Sequence, residues 1–174
     1  MIIDPLTGFL RTESFLTNVD EAITAASAAQ VRAPGFSMHA MLARIYWAQG
    51  DRDEALEAER RELDYRGDTA LMAALEQGLE SAGPSGAMHA MAEALVDRAQ
   101  TTYVDPFLIG ETFARAGEVD EALLWLDRAL QYGSFEITYI AFRPDFDVLR
   151  EDPRYWDLVD RVYGPGNPIA ARAY

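Results

Sequence analysis

Apolar residues recur along this chain at helical spacing, in blocks divided by glycine-bearing turns. Over 103–116 the stripe is Phe107, Leu108, Ile109, Phe113 and Ala114, and Asp105-Pro106 supplies a cap and a first helical position. Gly117 can adopt the left-handed backbone that stops this helix. The next block presents Ala122, Leu123, Leu126, Ala129 and Leu130 before Gly133. It carries Asp120 and Glu121 in its first turn, where the helix dipole favours acids. The small residues Gly110 and Ala122 let the two helices approach closely. Neither helix can bury its stripe alone, so the pattern predicts helix pairs packed on their neighbours. Residues 36–66 and 69–99 repeat the plan, the second interrupted by Gly83-Pro84-Ser85-Gly86. Near the end, Asp152-Pro153 opens a helix over 153–163 whose stripe is Tyr155, Val159, Val162 and Tyr163, with Trp156 and Leu158 beside it. Gly164-Pro-Gly-Asn-Pro168 breaks that helix and leaves 165–174 as a loose tail. Between the paired blocks and this last helix, Phe135, Ile137, Thr138, Tyr139, Ile140 and Phe142 favour extended structure.

The blocks are periodic. Gly50-Asp-Arg-Asp-Glu-Ala-Leu56 and Gly117-Glu-Val-Asp-Glu-Ala-Leu123 are near copies, and Thr17-Asn-Val-Asp-Glu-Ala-Ile23 is related. Turn positions 17, 50, 83 and 117 are spaced 33, 33 and 34 residues apart. Residues 103–134 resemble a tetratricopeptide repeat at Ile109, Gly110, Phe113, Ala122, Leu126 and Ala129, with Pro106 and Ser134 departing from its usual Trp and Pro. Residues 36–66 match at Leu42, Ala43, Tyr46, Gly50 and Ala55 and depart at Glu59 and Glu62. Residues 18–34 resemble the second helix of a preceding repeat (segment 3–34) through Ala22, Ala26, Ala29 and Pro34. Residues 69–99 keep the length but are degenerate at Gly83. Pro144-Asp-Phe-Asp-Val-Leu-Arg-Glu-Asp-Pro-Arg-Tyr155 resembles the sequence that closes such arrays in many bacterial signalling proteins. The resemblance implies an all-α solenoid of helix-turn-helix pairs over 1–164 with a capping helix at 153–163. It implies protein recognition, by a scaffold or regulatory module, through the concave face of the array. The offsets that line that face in the family fall on Arg44 and Trp47, Gln77 and Glu80, and Phe107, Glu111 and Arg115. Trp47 and Phe107 would anchor an apolar or extended peptide, and Arg44 and Arg115 would select acidic groups. A small ligand or peptide sensed in the groove is the alternative.

Composition narrows the chemistry. The 174 residues hold no cysteine, which excludes disulfides, thiolate metal sites and thiol catalysis. All 15 basic residues are arginine, so Schiff-base chemistry and a phosphate-loop lysine are absent as well. The net charge of −14 opposes binding to nucleic acid or anionic membrane. A length of 174 makes one domain the default, and the lack of a signal sequence or a long apolar run suggests a cytoplasmic protein. No catalytic residue, metal site or cofactor is expected.

Other motifs carry less. Asp4-Pro-Leu-Thr-Gly8 with Phe15-Leu16 resembles the opening of diguanylate cyclase domains, but the metal-binding strand and the Gly-Gly-Asp-Glu-Phe turn appear nowhere downstream. A helix start that happens to use those residues explains them better, and an enzyme is the weakest class. The tetrapeptides Met38-His-Ala-Met41 and Met88-His-Ala-Met91 fall at different repeat positions, early in a first helix and within a second, which speaks against a paired metal site. Glu57 with Arg61 and Asp157 with Arg161 are expected to be ordinary surface pairs.

Overall fold

A computed structural model describes residues 38–164, together with Ile2–Ile3, Leu10–Arg11, Glu21 and Thr24. The described residues are helical apart from one two-residue antiparallel pair. That pair joins β1 (Ile2–Ile3) to β2 (Leu10–Arg11), with Ile2 opposite Arg11 and Ile3 opposite Leu10. The chain falls into two compact units, one reaching Gly67 and the other beginning at Asp68, where the sequence suggested a single domain over 1–164. The boundary lies between two of the repeat-like segments.

In the first unit, α1 (His39–Gln49) and α2 (Arg52–Arg66) form a helix pair. Gly50 closes α1 at φ 90° and Gly67 closes α2 at φ 66°, both left-handed, as glycine permits. Leu42, Ala43 and Ala58 make the pair's small core, with Met38 and Tyr46 packed against it. Glu62, in a slot where an apolar residue or Ala is usual, is buried, and Arg66 Nε donates to its Oε1 at 2.5 Å. An Arg one turn on therefore gives the buried carboxylate a partner. Glu57 and Arg61 pair on the surface at 3.0 Å, as expected. Most of the repeat-like segment 3–34 lies outside the described residues; of those described, Ile3, Leu10 and Arg11 are in the strand pair and Glu21 and Thr24 are helical. The helix start expected around Asp4–Gly8 lies outside the described residues; the strand pair comes from residues before and after it. A two-residue strand has no periodicity for a sequence pattern to expose.

The second unit begins with α3 (Thr69–Ala99), whose backbone leaves the helical region at Ala82 and at Gly83 (φ 69°, ψ −157°). The break turns the element into a hairpin of two antiparallel arms. Asp68, ahead of the first arm, accepts both Nη groups of Arg98, at the end of the second, at 2.7 Å each. The same carboxylate caps the first arm by accepting from the Leu71 amide. Near the turn the arms touch backbone to backbone at Gly78 and Gly86. A Cβ at Gly78 would sit 2.2 Å from the Gly86 carbonyl oxygen. Leu71, Leu75, Met88, Met91, Ala92 and Leu95 line the buried side.

Helices α4 (Pro106–Ala116) and α5 (Val119–Tyr132) form the next pair, closed by Gly117 and Gly133 in left-handed conformation. Gly110 lies against Ala122 and Leu126, so the close approach expected of those small residues is present. The chain then makes two short 3-10 helices, Phe135–Tyr139 and Pro144–Leu149, before α6 (Pro153–Tyr163). The extended structure favoured for 134–143 does not form. A 3-10 turn eclipses positions three apart, and that spacing buries Ile137 with Ile140, then Phe146 with Leu149. Burial outweighs local propensity here. Helix α6 covers this layer with Tyr155, Leu158 and Val159, and is tied to α5 by Arg154–Asp120 at 2.6 Å and Arg161–Asp127 at 2.5 Å. Arg161 thus reaches across to α5, where the sequence had paired it with Asp157 on its own helix. Both arginines are more than half exposed and screened by solvent, so these pairs contribute little to stability.

Tyr155 is fully buried and its hydroxyl donates to the Ile140 carbonyl at 2.8 Å. Burial pushes its phenol well above the ordinary tyrosine range. A group raised on folding supports stability at and below its unfolded pKa of about 10 and loses that contribution as the pH climbs above it. Tyr155→Phe should lower stability by about 1–2 kcal/mol at neutral pH, since the Ile140 carbonyl loses its donor. The variant should also lose part of the alkaline instability of the wild type, measured as urea midpoints at pH 8 and pH 11.

The break at Ala82–Gly83 and the boundary at Gly67 both lie within 60–90, while 105–130 spans two uninterrupted helices with buried inner faces. Amide hydrogens of 60–90 should therefore exchange faster than those of 105–130. Slower exchange in 60–90 would mean that the glycine contact and the Asp68–Arg98 clip over-compensate for the break.

Candidate binding surface

The seven residues offered for a concave face divide sharply. Trp47 is buried at the end of α1, with the Arg52 guanidinium 4.0 Å from its ring centroid, and Arg52 also donates to the Trp47 carbonyl. Arg44 is half-buried on the same helix. Gln77 and Glu80 are exposed on the first arm of α3. Phe107, Glu111 and Arg115, on one face of α4, are shut inside the second unit and do not line an open groove.

The chain's own downstream segment covers them. Phe146 sets its ring edge-on against Phe107, with centroids 5.5 Å apart at 86°. Arg143 crosses above, its guanidinium 4.9 Å from the Phe107 centroid, and donates to Glu111 at 2.5 Å and to Glu136. One turn along, Arg115 Nε donates to Asp145 at 2.6 Å, and its Nη2 lies 3.6 Å from Glu111. Glu111 is 1% exposed, with both guanidinium groups set against it. Residues 143–149 therefore occupy the α4 face as an apolar anchor flanked by two charge pairs of opposite polarity. Phe107 meets the Phe146 ring and Arg115 an aspartate, but both contacts are made within the chain. The chain itself supplies their partner.

The hairpin α3 keeps an open face. A cleft of about 670 Å³ runs along both arms and the end of α4. Ala74, Ala82, Ala90 and Ala94 line it with short side chains, beside the contact of the arms at Gly78 and Gly86. Polar groups stand along it: Gln77 and Ser81 from the first arm, Ser85, His89, Glu93 and Asp97 from the second, and Glu118 beyond Gly117. His89 Nδ1 lies 2.5 Å from Glu118 Oε1, which ties the second arm to the α4–α5 turn. Of the seven predicted residues, Gln77 alone lines this cleft. The others that do were not singled out for binding, because the alternation of small residues with polar ones across a broken helix resembled a degenerate repeat.

The histidines sit as their repeat positions implied, His39 at the start of α1 and His89 in the second arm of α3. Among the described residues no group of three or more acidic or histidine side chains is placed to hold a metal ion. None of the described helices is long and apolar enough to cross a membrane. Compared with known proteins, the chain matches no protein family, no curated protein and no solved structure.

Proposed function

We propose that this protein is a recognition module, a scaffold or regulatory component built from tetratricopeptide-like helix pairs, that binds an extended polypeptide segment in the α3 cleft. The observation that carries the reading is the contrast between neighbouring faces. The α4 face is filled by residues 143–149 through an aromatic anchor and charge pairs, while the α3 face presents an open cleft lined with short Ala side chains. The filled face is an internal example of the mode of binding: a turn-rich segment pressed on a helix, with one buried ring and charges on either side. A volume of about 670 Å³ suits a few residues of peptide, and the polar rim offers both donors and acceptors. Catalysis has little to work with in a chain without cysteine or lysine.

The test is affinity selection from a random peptide library, followed by mapping of the selected sequences through amide chemical shifts. Enriched peptides should perturb residues 74–97, and Ala90→Trp, which fills the cleft from an already partly exposed position, should abolish their binding. Enrichment that survives Ala90→Trp, or shifts confined elsewhere, would overturn the assignment of the cleft.

A further inference from the structure

A different surface of the second unit carries a more specific inference. At the end of the α4–α5 pair, where Asp105 precedes α4 and Gly133 closes α5, four aromatic rings stand exposed. Tyr103, Tyr132 and Phe135 are 68%, 73% and 71% exposed, and Tyr139 is 44% exposed. They form two contacts, Tyr103 with Tyr132 at 6.1 Å between centroids and Phe135 with Tyr139 at 5.8 Å. Tyr132 and Phe135 lie on either side of the Gly133–Ser134 turn in the chain, where the Ser134 hydroxyl donates to Asp105 at 2.9 Å.

Rings left this open are costly to hydrate and are the side chains that dominate binding energy at interfaces. Elsewhere the protein covers its large rings with its own arginines. Arg52 lies over Trp47, Arg128 over Trp125 and Arg150 over Trp156, at 4.0, 4.3 and 6.0 Å. Arg143 lies 6.0 Å from the Tyr139 centroid, and it is committed to Glu111 and Glu136. The charges at this end of the pair favour a cation. Helix α5 has no basic residue in its last turn, the carboxylate of Asp105, which caps α4, sits at the same end, and the whole chain carries −14.

We propose that this aromatic platform is a docking surface for an arginine-bearing basic segment of a partner protein, with guanidinium groups stacking on Tyr103, Tyr132 and Phe135 beside Asp105. Arginine fits better than lysine because its planar, weakly hydrated head stacks on a ring face and still offers in-plane donors to a carboxylate. A second copy of this chain does not fit, since two surfaces of the same negative protein would meet without the cation both favour.

Fluorescence anisotropy with a labelled (Arg-Gly)5 peptide tests this, with (Lys-Gly)5 as the comparison. Wild type should bind the arginine peptide saturably and several-fold more tightly than the lysine peptide. Tyr103→Ala with Tyr132→Ala should weaken binding about tenfold, which follows from losing two exposed cation–π contacts. Tyr103→Phe with Tyr132→Phe should retain it, because the rings remain. Ala90→Trp, in the separate α3 cleft, should leave it unchanged, so failure of the cleft assignment and failure of this one are distinguishable. Equal binding of the two peptides, or undiminished binding by the Tyr→Ala variant, would show only diffuse attraction to a negative protein and would overturn the proposal.

Discussion

Gly78→Ala should destabilise the second unit by about 3 kcal/mol, near the top of the range for overpacked sites. Alanine ordinarily strengthens a helix by about 0.5–1 kcal/mol over glycine, so the expected sign is the reverse of what local propensity gives. The reason is what the new methyl would meet. Its nearest neighbours would be the Gly86 carbonyl oxygen at 2.2 Å, the Gly86 carbonyl carbon at 2.7 Å and the Ala87 Cα at 2.8 Å. All three are backbone, so no rotamer change relieves the clash and the arms of α3 must move apart. Gly110→Ala provides the internal comparison. Its Cβ would lie 2.9 Å from the Leu126 side chain and 3.1 Å from the Ala122 carbonyl oxygen, and part of that strain can be shed by turning Leu126. The urea midpoint should therefore fall much further for Gly78→Ala than for Gly110→Ala. Equal midpoints would mean that the two arms are not in backbone contact.

Arg143→Ala should be at least as damaging, by about 3–4 kcal/mol, because it removes the nearest cation from a buried carboxylate. Glu111 would lose the guanidinium at 2.5 Å, and Arg115 lies further off, at 3.6 Å, and is already held by Asp145 at 2.6 Å. The Phe107 ring would lose its covering guanidinium at the same time. The double variant Arg143→Ala with Glu111→Leu should recover much of the loss, since it removes the buried charge and leaves an apolar residue of similar size in its place. Thermal melts of the two variants decide the matter. A double variant no more stable than the single would show that the guanidinium acts mainly by packing on Phe107, with the charge pair contributing little.

The helices themselves were legible because their signals are local. Asp105-Pro106 and Asp152-Pro153 announce α4 and α6, and both aspartates accept the amide hydrogen bonds expected of caps. Gly50, Gly117 and Gly133 stop helices where the pattern placed stops. Which stripe faces a partner and which faces the core was not legible. Phe107, Glu111 and Arg115 lie at offsets suited to an open groove, and nothing within α4 says otherwise. The decision belongs to Arg143, Asp145 and Phe146, some thirty residues away along the chain, as the 32-residue separation of Arg143 from Glu111 records. The hairpin in α3 was half visible. Gly83-Pro84 marked the interruption, but only the pairing of Gly78 with Gly86 and of Asp68 with Arg98 shows that the interruption is a tight turn between two well-formed arms.

The covering of α4 by residues 143–149 has a competitive consequence. A ligand joined to its site by a short connection behaves as though present at millimolar effective concentration. A free peptide of the same Arg-Pro-Asp-Phe type would have to outmatch that tethered copy before it could occupy the face, and micromolar partners with millimolar affinity would never do so. Specificity at α4 is thus spent within the molecule, and partners in solution meet a protein whose strongest aromatic-and-ionic groove has already been taken out of competition.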